Sequence, residues 1–127
     1  MNSKVLAFAF SFCMVTLPTY AANWVYVGEN TSGNIYFIDK SSLQKDRNSV
    51  TFWYKVNFKQ RSSQGDLSEK NQYTFNCHRR EMIFRYITTY DDIDNGGRNT
   101  SSFVPRDKWE PIIPETVTWA MMMFVCR

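Results

Sequence analysis

The segment SVTFWYKVNFK, residues 49–59, carries the clearest pattern in the chain. Apolar side chains occupy every second position, and most of the positions between them are polar. The apolar set is Val50, Phe52, Tyr54, Val56 and Phe58. Because successive side chains of a β-strand point to opposite faces of a sheet, this period of two predicts a strand with one buried and one mostly hydrated face.

A second long strand is predicted at residues 82–90, after the polar loop 60–69 and a strand leading to Cys77. Residues 78–80 form the turn before it, and the tract 91–97 ends it. Strict alternation places one set of side chains on a single face of this strand, namely Met82, Phe84, Tyr86, Thr88 and Tyr90.

Shorter strands are predicted on either side of this pair. Residues 24–27 and 35–38 are aromatic and β-branched runs separated by the turn-forming sequence 28–34. Asp39 is placed to cap a single helical turn over residues 40–43. Phe103 and Val104 are expected to begin a short returning strand.

The C-terminal segment allows two interpretations. Pro114 and Glu115 resemble a helix start, because proline suits the first turn and an acid suits the positive end of the helix dipole. The helix would be apolar on two opposite stripes, which are Val117, Ala120, Met121 and Phe124 on one side and Trp119, Met122, Met123 and Cys126 on the other. Both sides of such a helix must be covered. One side would lie on the sheet, and the other would be covered by loops, by the Trp109 segment or by a second subunit. A strand with Val117, Trp119, Met121, Met123 and Val125 on one face is the alternative.

These elements predict an α+β domain, with an antiparallel β-sheet of about five to six strands packed with a C-terminal α-helix. The 127 residues are 43% hydrophobic and 17% aromatic, which excludes a mainly disordered chain. Residues 22–127 are expected to form one domain.

Residues 1–21 have the parts of a secretory signal peptide. Lys4 gives a positive start, residues 5–17 form an apolar run, and Thr19-Tyr20-Ala21 resembles a cleavage site. The run is shorter than the roughly 20 residues that span a bilayer, so export and cleavage are predicted and no membrane span is expected. Cys13 follows Phe10-Ser11-Phe12, which differs from the small residues of a lipoprotein signal.

Two cysteines, Cys77 and Cys126, remain after cleavage, and an exported chain meets oxidising conditions. An even pair there predicts a disulfide, which would stabilise the domain by about 4 kcal/mol on the chain-entropy estimate. Cys77 shares its parity with Tyr73 and Phe75, so it is expected to point into the core. A free nucleophilic thiol is the alternative.

The sequence offers little chemistry for catalysis. His78 is the single histidine, so a metal site with several histidines is impossible, and no catalytic residue, metal or cofactor is predicted. The tract 91–97 resembles a calcium loop, but Ile93 occupies a ligand position, and a solvated hairpin tip is the better interpretation. A net charge of +3 also disfavours nucleic acid as a partner.

Basic residues interleaved with apolar ones suggest a binding face on the sheet. Such a face would suit an acidic protein or a polyanion, and an ordinary charged sheet face is the alternative. The predicted binding residues are Trp53, Lys55, Lys59, Arg79, Arg80 and Arg85.

The chain resembles the surface-adhesin protein E family of Gram-negative bacteria. The opening WVYVG at 24–28 and the segment YFIDKSSL at 36–43 carry the resemblance most clearly. Phe52-Trp53, the approach to Cys77, the Gly96-Gly97 turn, IPET at 113–116 and the closing Val125-Cys126 follow in the family's order.

The resemblance implies an antiparallel sheet with a C-terminal helix, joined cysteines and no catalytic activity. It also implies adhesion to host matrix and serum proteins such as vitronectin, laminin and plasminogen. We therefore expect an exported, non-enzymatic, adhesin-like protein in the periplasm or at the cell surface, with a homodimer contact on the apolar helix as a further hypothesis. The alternative is a soluble periplasmic accessory or envelope-structure protein with no host ligand.

Overall fold

The strand predicted from residues 49–59 lies in the middle of the sheet. In the computed structural model, β4 covers Ser49–Asn57, and the side chains of Val50, Phe52, Tyr54 and Val56 are all buried. The prediction of one buried face is therefore confirmed. Lys55 lies on the other face, and it is only 8% exposed, so the prediction of a hydrated face is wrong at this position.

The structure describes residues 7, 9–14 and 21–127. The predicted signal peptide falls mainly outside the described residues and stays a prediction. The remaining strands are β1 (Trp24–Glu29), β2 (Ile35–Asp39), β3 (Gln44–Asp46), β5 (Ser68–Asn76), β6 (Glu81–Tyr90), β7 (Asn99–Phe103) and β8 (Glu110–Pro111). One α-helix, α1, covers Val117–Val125, and short 3₁₀ turns lie at Lys40–Ser42 and Ile93–Asn95.

Six strands form one antiparallel sheet in the order β1-β2-β4-β5-β6-β7. This agrees with the predicted five to six strands and with the predicted α+β class. Two short strands, β3 and β8, were not predicted, and they pair with β4 and β6 respectively. Ser68 and Glu69, assigned to a loop from their polarity, are the first residues of β5.

The predicted cap after β2 is confirmed. The carboxylate of Asp39 accepts a hydrogen bond of 3.0 Å from the backbone N–H of Ser41, which begins the 3₁₀ turn. The same carboxylate accepts a 2.9 Å hydrogen bond from the backbone N–H of Asn23. Asp39 thereby fixes the first residues of β1 against the end of β2.

A β-bulge interrupts the alternation predicted for β6. Tyr73 pairs with Phe84, but its neighbour Gln72 pairs with Tyr86, so Arg85 is an extra residue in β6. One extra residue reverses the alternation beyond it. Tyr86 therefore lies on the opposite face from Phe84, and the prediction of a single face for residues 82–90 is wrong.

The returning strand and the helix both begin at other residues than predicted. Phe103 ends β7, which starts at Asn99, instead of beginning a strand. Glu115 has φ of 63°, which is incompatible with an α-helix, and Pro114 and Glu115 therefore precede α1. Thr116 is the N-cap, and its Oγ1 accepts a 3.2 Å hydrogen bond from the N–H of Trp119.

The helix packs on one side of the sheet and is attached there covalently. Met121, Met122 and Val125 join the core formed by the buried aromatic side chains of β4 and β5. The predicted disulfide is present and joins Cys77, just after β5, to Cys126, just after α1. The helical interpretation of the C-terminal segment is confirmed, whereas Met123 is 57% exposed and remains uncovered.

Candidate functional site

The side of the sheet opposite α1 carries a group of aromatic and basic side chains. We call it the open face, and its residues are Trp24, Tyr26, Phe37, Trp53, Lys55, Lys70, Arg85 and Tyr86. They come from five strands that are neighbours in the sheet, β1, β2, β4, β5 and β6. The strand register, rather than proximity in sequence, brings them together.

The first row of the open face is built around Lys55. Its Nζ lies 4.9 Å from the ring centroid of Trp24 and 5.0 Å from that of Phe37, which in turn packs edge-on against Tyr26 at 6.0 Å. Lys55 Nζ also forms a 3.1 Å ion pair with Asp94. Aromatic faces and a carboxylate together compensate the loss of water around the ammonium group, which explains why this lysine is buried.

The second row joins β5, β4 and β6. Lys70 Nζ lies 5.3 Å from the ring centroid of Trp53, and Trp53 packs edge-on against Tyr86 at 6.1 Å. The bulge at Arg85 places Tyr86 in this row, and its side chain is 37% exposed. Arg85 lies on the same face, where its Nε donates a 3.1 Å hydrogen bond to Thr74 Oγ1.

The loop between β6 and β7 closes one end of the open face. Asp94 Oδ1 accepts a 2.7 Å hydrogen bond from Asn57 Nδ2, and the backbone N–H of Asp94 donates a 2.8 Å hydrogen bond to Asn57 Oδ1. The hydrogen bond from Asn57, followed by that from Lys55, holds the pKa of the Asp94 carboxyl below its usual range. Asp94 is therefore ionised at neutral pH and pairs with Lys55.

The segment between β7 and β8 borders the other end. Asp107 lies 3.6 Å from Arg85 NH1, and Trp109 lines a cavity of about 480 Å³ beside it. The cavity floor includes Thr51 and Thr74, and its rim includes Gln44 of β3. Two aromatic rows therefore make up most of the open face, and a polar cavity adjoins it.

Half of the predicted binding residues lie outside the open face. Trp53, Lys55 and Arg85 belong to it, but Arg79 and Arg80 are exposed in the turn between β5 and β6. The guanidinium of Arg80 lies 5.5 Å from the ring of Trp119, which is on the helix. Lys59 is exposed beyond the end of β4.

Several residues of the open face were missed by the sequence analysis. In the sequence, Trp24, Tyr26 and Phe37 indicate only strands, and strict alternation predicts the wrong face for Tyr86. Alternation within β1 could have placed Trp24 and Tyr26 on one face, whereas joining Phe37 to them requires the register between β1 and β2. The bulge that positions Tyr86 has no comparable sequence signal.

The helix side of the sheet contains a buried polar cluster. Asn71 Nδ2 donates hydrogen bonds of 3.1 Å to Tyr54 Oη and 2.9 Å to Glu69 Oε2. Burial raises the pKa of the Glu69 carboxyl, and the hydrogen bond from Asn71 partly opposes this effect. The ring of Tyr54 stacks on that of Tyr73 at 4.7 Å. The pKa of each phenol is raised by burial, so both remain protonated hydrogen-bonding groups.

Two further observations concern the part of the chain that the structure describes. Within residues 7, 9–14 and 21–127, no three His, Cys, Asp or Glu side chains lie close enough together to hold a metal ion. The single α-helix in this part of the chain is too short to cross a membrane.

Comparison with solved structures shows that this fold is known. Three solved structures of Haemophilus influenzae protein E have the same fold at 18% sequence identity. The selenomethionine form has a TM-score of 0.62, with 85% of this chain and 88% of that chain covered. Crystal form II has a TM-score of 0.61 with coverages of 85% and 90%. The structure of protein E from non-typeable Haemophilus influenzae has a TM-score of 0.58, with 86% of this chain and 79% of that chain covered.

A search of curated proteins finds no match. The family model described as surface-adhesin protein E matches residues 24–127, which include every strand, the helix and both bonded cysteines. This match confirms the resemblance found in the sequence. The chain belongs to the surface-adhesin protein E family.

Proposed function

We propose that this chain is an exported adhesin-like protein that binds other proteins through the open face and has no catalytic role. The family supports adhesion in general. The second row of the open face supports the location of the binding site. There, a cation, a tryptophan and a partly exposed tyrosine follow one another across three strands.

The composition of the open face suits a protein partner. Tryptophan, tyrosine and arginine are enriched among the residues that dominate binding energy at protein interfaces. The open face contains all three, as Trp53, Tyr86 and Arg85. Tyr26 adds a side chain that is 58% exposed at the β1 edge. These aromatic rings are held by their neighbours before any partner arrives, which lowers the entropy lost on binding.

The charge of the open face favours an acidic partner surface. Lys55 is paired with Asp94 and Arg85 with Asp107, so Lys70 is the cation that we expect a partner to meet. Complementary charge increases the rate of association and selects against basic partners. Host matrix or serum proteins with acidic patches are the partners that we propose.

Charge reversal on the open face is the direct test. We expect the variant Lys70→Glu to weaken binding to immobilised vitronectin, laminin or plasminogen by about tenfold. The matched control is Lys59→Glu, which changes the net charge equally outside the open face. Salt of about 0.15 M limits long-range effects of charge to about 8 Å.

Two outcomes would contradict this assignment. Either the open-face variant binds as well as the wild type, or the control variant loses as much affinity as the open-face variant. Near-ultraviolet circular dichroism verifies that both variants are folded. The variant Tyr86→Ser tests the aromatic contribution without a change of charge.

The final location of the protein is part of the proposal. The predicted signal peptide supports export, and family membership supports display at the surface. The sequence Phe10-Ser11-Phe12 before Cys13 lacks the small residues of a lipoprotein signal, which favours the second candidate, a periplasmic accessory protein with no host ligand. Protease treatment of intact cells distinguishes them, because a periplasmic protein is spared and a surface protein is cleaved.

A homodimer through the helix belongs to the same proposal. Met123 is 57% exposed on α1, and apolar side chains of this kind are often covered in oligomers. Sedimentation equilibrium of the wild type and of Met123→Lys tests this contact. We expect a dimer for the wild type that the lysine variant dissociates, and a monomeric wild type at high concentration would contradict the contact.

A further inference from the structure

The polar cavity beside the open face contains the groups that recognise carbohydrate. We propose that this cavity, at the β3 end of the face, binds an uncharged sugar unit of a glycan. Its volume is about 480 Å³. Sites for small molecules occupy roughly 300–1,000 Å³, so one or two sugar rings fit.

The cavity floor consists of hydroxyl and amide groups in fixed positions. Thr51 Oγ1 and Thr74 Oγ1 lie 2.8 Å apart and share a hydrogen bond, and Arg85 Nε donates to Thr74 at 3.1 Å. Gln72 and Ser49 also line the cavity. Hydroxyls and amides both donate and accept hydrogen bonds, as sugar hydroxyls do, so the floor matches a ligand with several hydroxyl groups.

The cavity rim adds water-facing polar groups from β3. Gln44 pairs with Thr51, and Asp46 pairs with Ser49, so both β3 side chains line the cavity beside the floor residues. Both Gln44 and Asp46 are exposed. A sugar would replace the water around this amide and this carboxylate with direct hydrogen bonds.

One wall of the cavity is aromatic. Trp109 lines it and is 41% exposed, so its indole ring is available to a ligand. A sugar ring has an apolar side formed by C–H groups, and the flat apolar body of tryptophan with its polar N–H suits such a ligand. The cavity thus combines one aromatic wall with a polar floor.

The charges of the cavity exclude the obvious alternatives. Arg85 is the single cation among the residues that line it, and Asp107 lies 3.6 Å from its guanidinium. Asp46 adds a second carboxylate. A phosphate, a sulfate or an acidic sugar would meet more negative than positive charge here, whereas an uncharged sugar would not be repelled.

This inference goes beyond the proposed protein-binding function and does not depend on it. Lys70, Trp53 and Tyr86 carry the protein-binding proposal, and they do not line the cavity. Gln44 and Trp109 carry the sugar-binding proposal, and they do not belong to the two aromatic rows. Arg85 belongs to the open face and also lines the cavity, so it is left unchanged in the variants of both sets. The two proposals can then be tested independently of each other.

Titration of the purified protein with single sugars tests the proposal. We would add glucose, galactose, mannose and N-acetylglucosamine in turn and follow proton–nitrogen correlation spectra of the labelled protein. We expect at least one of these sugars to shift the indole N–H signal of Trp109 and the side-chain amide signals of Gln44 and Gln72 saturably, with Kd of about 1 mM.

Substitutions connect the binding to the cavity. We expect Gln44→Ala and Trp109→Ala each to raise Kd by roughly 3- to 10-fold, because each removes one group that contacts the sugar. The matched control is Gln60→Ala, which removes an exposed amide in the loop after β4 and should leave Kd unchanged. Gln44 is exposed on a short strand, so its variant is expected to fold even if that of Trp109 does not.

Three results would overturn the proposal. The first is the absence of a saturable shift with all four sugars up to about 100 mM. The second is an equal loss of affinity in Gln60→Ala and Gln44→Ala. The third is a Trp109 signal that responds to an acidic peptide and to none of the sugars, which would make the cavity part of the protein-binding site.

Discussion

Removal of the disulfide should cost this domain a large part of its stability. Cys77 and Cys126 are separated by 49 residues. For a loop of this length, the chain-entropy relation gives about 14 cal/mol/K, which corresponds to about 4 kcal/mol at 25 °C. Small domains are stable by only about 5–15 kcal/mol, so we expect the double variant Cys77→Ala and Cys126→Ala to be marginally folded at 37 °C.

Without the disulfide, α1 should unfold at a lower temperature than the sheet. An isolated helix of nine residues is unstable in water, so without the crosslink α1 depends on the packing of Met121, Met122 and Val125 alone. We expect a loss of helical circular dichroism below the main transition, together with a fall in Tm of about 15–25 °C.

Urea unfolding followed by tryptophan fluorescence measures the change in the free energy of unfolding. Chemical reduction of the wild type is the internal control, since it should reproduce the effect of the double variant and should leave the variant unchanged. A loss below about 1 kcal/mol, or a reductant effect of similar size in both proteins, would refute the loop-entropy reasoning.

Three further substitutions test single interactions by urea unfolding. Glu69→Gln should stabilise the domain at pH 7, because burial raises the pKa of Glu69 and makes its charged form unfavourable in the fold. The gain in stability should vanish below pH 4.5, where the carboxyl is protonated in both states. A gain that persists below pH 4.5 would contradict this account. Asp94→Ala should cost about 1–2 kcal/mol at pH 7, because it leaves Lys55 buried without its carboxylate. Since the pKa of Asp94 is lowered in the fold, that cost should be full above pH 3.8 and should disappear as the pH falls through the lowered pKa. Thr116→Ala should cost about 1 kcal/mol through loss of the N-cap, whereas Thr118→Ala, also near the start of the helix, should cost less.

The central strand could be predicted because a single physical rule governs it. Val50, Phe52 and Tyr54 recur with period two, and any sheet that covers one face of this segment must bury them together. The disulfide could be predicted because the predicted cleavage after residue 21 would leave two cysteines, and two cysteines allow one pairing. In both cases, few arrangements compete with the predicted one.

The open face was predicted only in part because it depends on strand register. Lys55 looks like a hydrated lysine in the sequence, yet Trp24 and Phe37 reach it from β1 and β2 and Asp94 from a distant loop. The bulge at Arg85 depends on pairing with Gln72 and Tyr73, which local alternation cannot reveal.

Arg79 and Arg80, just before β6, were predicted to belong to the binding face but lie outside it. Arg79 and Arg80 are close to Arg85 in sequence, and that closeness suggested one basic face. The positive φ of 55° at Arg80 turns the chain between β5 and β6, and its side chain then lies over Trp119 on the helix side. Turn geometry rather than charge decides where these residues lie.

The bond between Cys77 and Cys126 also determines how the molecule would carry mechanical load. A pull on the chain beyond Cys126 passes through the two sulfur atoms directly to the end of β5, so the residues between the cysteines bear no tension. β6, β7 and α1 lie inside the loop that this bond closes, so stretching the chain cannot extend them even when β1 to β5 are pulled out. If the chain acts as the adhesin proposed above, this crosslink limits how far it lengthens when a bound cell is pulled.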